Sequence, residues 1–151
     1  MNNHIIIQET DFQKARNKIR QAKKDQPGKT VIFSSSKDEL NRKILEKEPV
    51  NVLLITLKGR KDFMKQRNSG FNQVMAKEAK RKNVVIGINL DEIVMSKGRE
   101  KAKILARIAQ NIKLCNKNKL KMVFFPELKD KYSIKALGLV LGMPTWMTKD
   151  I

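Results

Sequence analysis

Apolar positions along the chain alternate between two kinds of segment. Short runs rich in β-branched residues, HIIIQ (residues 4–8), TVIFS (30–34), NVLLIT (51–56), VVIGI (84–88) and KMVFF (121–125), read as strands. Between them, apolar residues recur every three or four positions, the spacing of one helix face. Those faces are Phe12, Ala15, Ile19 and Ala22; Leu40, Ile44 and Leu45; Phe71, Val74, Met75 and Ala79; Ile104, Ile108, Ile112 and Cys115; and Ile134, Leu137 and Leu141. Thr10 with Gln13 and Ser36 with Glu39 have capping-box spacing, while Pro27-Gly28, Pro49 and Asn83 mark helix ends. Lys97 to Lys117 spans the longest helix. The pattern organises around residues 69–93, where a helix ending in Lys80, Arg81 and Lys82 turns at Asn83 into a strand that is apolar on both faces. Val84, Val85, Ile86 and Ile88 predict a parallel strand covered by helices on both sides. About five β/α steps and no Asn-Gly hairpin signal predict an α/β fold with parallel strands.

In such a fold the loops that follow the strands gather on one edge, the usual place for a ligand. That edge is expected to display Ser34 to Lys37, Leu57 to Lys65, Asn89 to Asp91 with Ser96 to Arg99, and Pro126 to Lys131.

Composition narrows the partner. At 151 residues the chain is expected to form one domain, and 33 Lys and Arg against 15 Asp and Glu give a formal charge of +18. That surplus predicts attraction to a polyanion, with nucleic acid first and a membrane surface second. No apolar run approaches the ~20 residues of a spanning helix, and the N-terminal stretch lacks a basic n-region. A soluble, cytoplasmic protein is expected, and a single cysteine fits a reducing compartment.

Most catalytic chemistries are undersupplied. Metal hydrolysis needs several His and carboxylate ligands, and the one histidine, His4, is expected at a strand edge. Asp91 and Glu92 follow a strand, as a catalytic carboxylate could, but read as solvated or Lys-paired acids. Ser34, Ser35 and Ser36 look like a turn and a cap, and Cys115 lies on a buried stripe as an inert small hydrophobe. Neither GxxxxGK[ST] nor GxGxxG occurs. The basic residues remain. Lys58, Arg60, Lys61, Lys65 and Arg67 crowd one loop beside a single acid, Asp62, with Gly59 allowing close approach of backbone to phosphate. Lys97, Arg99 and Lys101 surround the start of the long helix, where free N–H groups favour phosphate. These eight are the candidate RNA-binding residues; with aromatics at 5%, phosphate and shape contacts are expected to outweigh base stacking.

From Thr30 to Met143 the chain resembles archaeal ribonuclease P protein component three, the thirty-kilodalton subunit family. The resemblance rests on GFNQVMAKEAKRKNVVIGINLDEIV, then GREKAKILARIAQNIKLCNKNKLKMVFF, then ALGLVLGM, in that order. It implies a TIM-barrel-like (βα) fold related to the polymerase and histidinol phosphatase hydrolases, with the metal site lost. It also implies a non-catalytic subunit of the particle that removes 5′ leaders from precursor tRNA, in which the RNA subunit cleaves with magnesium and the protein binds no cofactor. The implied protein partner is a small α/β subunit, two copies of each forming a heterotetramer on the catalytic RNA. Two other readings stand beside it: a metal-dependent hydrolase of the related barrel superfamily, and a basic ribosomal-type RNA-binding protein.

The chain departs from the family pattern in ways that carry expectations of their own. It matches from about two β/α steps into the usual barrel, which predicts an abbreviated or open barrel with Ile5 to Ile7 or Thr30 to Phe33 at an edge. Asp91-Glu92 and Pro126-Glu127 replace family-typical loop residues. Met143, Trp146 and Met147 are expected to stay shallow unless a partner covers them or Trp146 folds back onto the barrel floor. A marginal monomer that gains stability with its partner subunit follows from these expectations.

Overall fold

A computed structural model describes residues 3–127 and 130–151. Strands β1 (His4–Gln8), β2 (Thr30–Ser34), β3 (Val52–Ile55), β4 (Val85–Asn89) and β5 (Met122–Phe125) form one parallel sheet in the order β1-β2-β3-β4-β5. Helices α1 (Phe12–Asp25), α2 (Asp38–Lys47), α3 (Gln73–Lys82), α5 (Gly98–Lys117) and α6 (Lys131–Leu141) alternate with the strands, and short helices α4 (Leu90–Met95) and α7 (Thr145–Thr148) follow β4 and α6. The fold is α/β and barrel-like, with β1 at one edge of the sheet.

Strictly sequential strand order decides where the helices go. Right-handed crossovers that always step in the same direction place every helix on one side of the sheet. The large core accordingly joins Ile7, Val31, Phe33, Leu53, Ile86 and Phe124 to buried residues of all seven helices. The second core cluster, Ile32, Val52 and Leu54 with Val85 and Phe125 against it, contains strand residues alone. The expectation that β4 is covered by helices on both faces is therefore corrected. Its second face is apolar because the sheet curls over it.

The curl has two local signs. Gly87 lies on the inner face, where a Cβ would come within 3.0 Å of Leu54 Cδ1 and 3.1 Å of Val52 Cγ1. Across the open side, the ring of His4 stands edge-on to that of Phe125 with centroids 4.8 Å apart. Four gaps of about 4.8 Å would hold the edge strands of a flat sheet roughly 19 Å apart, so the sheet is bent into an incomplete barrel. His4 begins β1 whereas Phe125 ends β5, the stagger that tilted barrel strands produce.

Helix faces follow the sequence pattern with three exceptions. Val74 is 53% exposed, and Ala76 takes its place beside Met75 and Ala79. Asp11, not Thr10, caps α1 by accepting a hydrogen bond from Lys14 N at 3.1 Å. Lys37, not Ser36, precedes α2 and makes no side-chain cap; the Ser35 hydroxyl accepts from Lys37 N instead. Asn83 ends α3 in the left-handed region at φ 56, as a C-cap Asn can.

The C-terminal segment is covered by the chain itself. Met143 and Met147 are buried, and Trp146 is partly buried with its indole N–H donating to Asn116 Oδ1 at 3.0 Å. The folded-back Trp146 is the arrangement observed, and the expectation of shallow packing for Met143 and Met147 is corrected.

Candidate nucleic-acid interface

The connection between β3 and α3, residues 56–72, is long and carries no regular structure, yet its backbone is held at many points. Arg107 of α5 reaches under it. Its guanidinium donates to Leu57 O at 3.0 Å, Arg60 O at 2.8 Å and Asp62 Oδ1 at 3.2 Å. One turn on, Asn111 Nδ2 donates to Ser69 O and Gln110 Nε2 to Arg67 O, both at 3.2 Å. Glu92 accepts from Leu57 N at 2.8 Å and Glu100 from Gly59 N at 3.0 Å. A loop this long normally moves; this one is tethered along its length to α4 and α5.

Acids in the site act on the backbone. Burial pushes the Glu92 carboxyl above its ordinary value, against the opposing pull of the Leu57 N–H bond. The hydrogen bond from Asn68 N, helped by Arg107, holds Asp62 below its ordinary value. Glu92 is thus a clamp on the loop backbone, where the sequence suggested a solvated or Lys-paired acid.

With the backbone fixed, the cations divide into two groups. Lys58, Lys61, Lys65 and Arg67 are exposed. Arg60 is turned inward, its side chain 9% exposed, with Nη1 and Nη2 on the Asp38 carboxylate at 2.7 and 2.8 Å and Nε donating to Thr56 O. Gly70 makes room for it: φ is +68, and a Cβ there would lie 2.5 Å from Arg60 Nη2. Arg60 braces the loop from below, which separates it from the outward candidates.

Lys97 precedes α5, Lys97 and Arg99 are exposed, and Lys101 is half-buried. The Gly59–Glu100 bond sets this second basic group directly against the first, so both share the edge where the strands end. Of the neighbouring loop expected over Pro126 to Lys131, Leu128 and Lys129 lie outside the described residues. His4 begins the edge strand β1, and its ring stands against Phe125 at the end of β5. Among the described residues, no three His, Cys, Asp or Glu side chains gather where a metal ion could be held. Nor is any described helix long and apolar enough to cross a membrane.

Comparison with known proteins bears on what this surface is. No family model matches the chain. Ribonuclease P protein component 3 of Methanococcus maripaludis is 26% identical over 140 residues, covering 91% of this chain and 58% of that protein. The protein of the same name from Methanocaldococcus jannaschii is 31% identical over 105 residues, covering 70% of this chain and 43% of that protein. A chain in a cryo-EM structure of archaeal ribonuclease P with mature tRNA superposes with a TM-score of 0.81 at 22% identity, covering 97% of this chain and 62% of that one. The chain is a relative of ribonuclease P protein component 3.

It spans about half the length of the curated relatives it matches. As a relative of ribonuclease P protein component 3, it shows the fold expected from the resemblance. Of the basic residues singled out in the sequence, Lys58, Lys61, Lys65, Arg67, Lys97 and Arg99 are exposed. Spacing did not reveal the contacts that Arg107, Glu92 and Glu100 make with the loop backbone, or the Asp38–Arg60 pair. The one available signal was Arg107 itself, a cation inside the apolar stripe between Ile104 and Ile108, where a long charged side chain is buried only if it is fully paired.

Proposed function

We propose that the chain is an RNA-binding subunit of archaeal ribonuclease P that supports RNA-catalysed removal of the 5′ leader from precursor tRNA. Its curated relatives carry that subunit's name, and a chain of the same fold sits in an archaeal ribonuclease P with mature tRNA. The observation that carries the reading is the tethered loop, whose Lys58, Lys61, Lys65 and Arg67 face outward on backbone fixed by Arg107. Cations on a preformed backbone meet phosphates with little ordering cost, so positioning the RNA is what this surface can do. Magnesium belongs to the RNA subunit in this reading, and the chain contributes no catalytic group. The protein partner is a small α/β subunit in a two-plus-two assembly, which would raise the melting temperature of the chain.

Reconstitution tests the whole reading. Catalytic RNA and the small α/β subunit are assembled with the wild-type chain or with Lys58, Lys61, Lys65 and Arg67 replaced together by Ala. Wild type is expected to accelerate leader removal at limiting magnesium, and the quadruple variant to lose most of that gain. Cleavage that is indifferent to the wild-type chain overturns the proposal.

A further inference from the structure

Beside the tethered loop runs a groove of about 730 Å³, walled by the loop, α2, α3 and α5, and within the roughly 300–1,000 Å³ typical of small-ligand sites. Its floor is apolar, made by the buried side chains of Phe71 and Met75. On one wall stands Phe63, 58% exposed although it is a large aromatic. Phe63 is held in place: Phe63 N donates to Gln66 O at 2.9 Å, and Asn68 N donates to Asp62 Oδ1 at 2.9 Å just beyond. An aromatic ring kept in solvent on an ordered turn is a preformed platform, not a side chain loose on a moving tip.

Charge around the groove is predominantly positive. Arg67, Lys113 and Lys117 line it, all exposed and none of them in a salt bridge among the described residues. Of the two acids on the rim, Asp38 is neutralised by Arg60, which leaves Glu39. A flat ring, an apolar floor and three uncommitted cations match a nucleotide: a π-face to stack, and a phosphate to neutralise. Bases inside a duplex keep their faces stacked on one another, whereas a splayed-out base can offer its face to a side-chain ring.

We propose that this groove takes one unpaired nucleotide of an RNA, its base stacked on Phe63 and its phosphate on Arg67, Lys113 and Lys117. The inference rests on the RNA-binding reading above and adds a base contact to it. An aromatic content of 5% argued against stacking in general, but a single placed ring suffices for a single base.

The test uses the full chain with fluorescent short oligoadenylate and an abasic ribose-phosphate oligomer of equal length, titrated over a range of salt. Phe63→Leu is expected to weaken oligoadenylate roughly tenfold, the order of one lost base stack, and to leave the abasic oligomer and both salt slopes unchanged. Phe63→Tyr retains oligoadenylate binding. Arg67→Ala with Lys113→Ala lowers the slope for both oligomers by about one to two. Salt-dependent binding of both oligomers that is insensitive to Phe63→Leu overturns this inference and leaves the RNA-binding reading intact. Equal losses on both oligomers also overturn it, since they indicate a displaced loop. Failure of the wild-type chain to bind either oligomer overturns both readings. Polyglutamate bound as tightly, with the same dependence on Phe63, would assign the groove to an acidic protein segment and overturn the nucleotide.

Discussion

Arg107 and Asp62 meet between α5 and the β3–α3 loop, Nη2 to Oδ1 3.2 Å, with the guanidinium side chain 1% exposed and the carboxylate side chain 37%. Most of the desolvation falls on the arginine, and the carboxylate is only one of its partners: two loop carbonyls take the other donors. Arg107→Met keeps the volume and leaves Leu57 O and Arg60 O without partners. A loss of about 2–4 kcal/mol is expected, from two forfeited charge-assisted hydrogen bonds, with fast amide exchange confined to residues 57–69. Urea melts and hydrogen exchange measure the two effects separately. Arg107→Lys is expected to rescue only part, because one ammonium cannot span the fork.

The two kinds of loop cation separate in a salt titration. Replacing Lys58, Lys61, Lys65 and Arg67 by Ala is expected to lower the slope of log affinity against log salt by about three, at roughly 0.7–0.9 per phosphate contact, with little change in stability. Arg60→Ala should do the reverse, costing about 1–3 kcal/mol of stability through the lost Asp38 pair while leaving the slope nearly intact. Filter binding at several salt concentrations, alongside urea melts, distinguishes them.

Cys115 gives a pH signature. Burial pushes its thiol from 9.0 up to about 12, so the folded state holds the proton more tightly than the unfolded chain. The corresponding stability is fully present below pH 9.0 and is lost as pH rises toward about 12. Between pH 9 and 10 the wild type is expected to lose roughly 1 kcal/mol more than Cys115→Ala, an order set by 1.36 kcal/mol per unit. Iodoacetamide should label the thiol at pH 8 only as fast as the protein unfolds.

Purified without added metal, the chain is expected to carry no stoichiometric zinc or manganese and to leave precursor tRNA uncut when assayed alone. Elemental analysis and a leader-cleavage assay check this. Tightly held metal together with cleavage would restore the hydrolase reading.

How much of this was legible depended on whether the physics was local. The stripe Ile104, Ile108, Ile112 and Cys115 is a property of one helix, and all four residues are buried. Val74 looked equally apolar, but whether a helix face meets the core is decided by neighbours the spacing cannot reveal. The apolar run at Val84 to Ile88 correctly signalled burial on both faces of β4, and sheet curvature, invisible in a short window, decided what does the burying. The site shows the same division. A basic loop is visible in the residues themselves, whereas the Asp38–Arg60 and Arg107–Leu57 contacts join residues far apart in sequence.

The contact between His4 and Phe125 is also a statement about time. Every other neighbour in the sheet is the next strand along the chain, so pairing can proceed step by step with modest loop closures, and each helix can dock as its strand arrives. The His4–Phe125 contact joins the first strand to the last, so it is expected to form after those steps. An interaction absent from the folding transition state changes the unfolding rate and leaves the folding rate alone. Phe125→Leu is therefore expected to steepen or raise only the unfolding arm of a chevron plot, whereas Leu53→Ala, at the centre of the sheet, should slow folding as well; stopped-flow mixing of both variants would show which side of the barrel-like curl forms last.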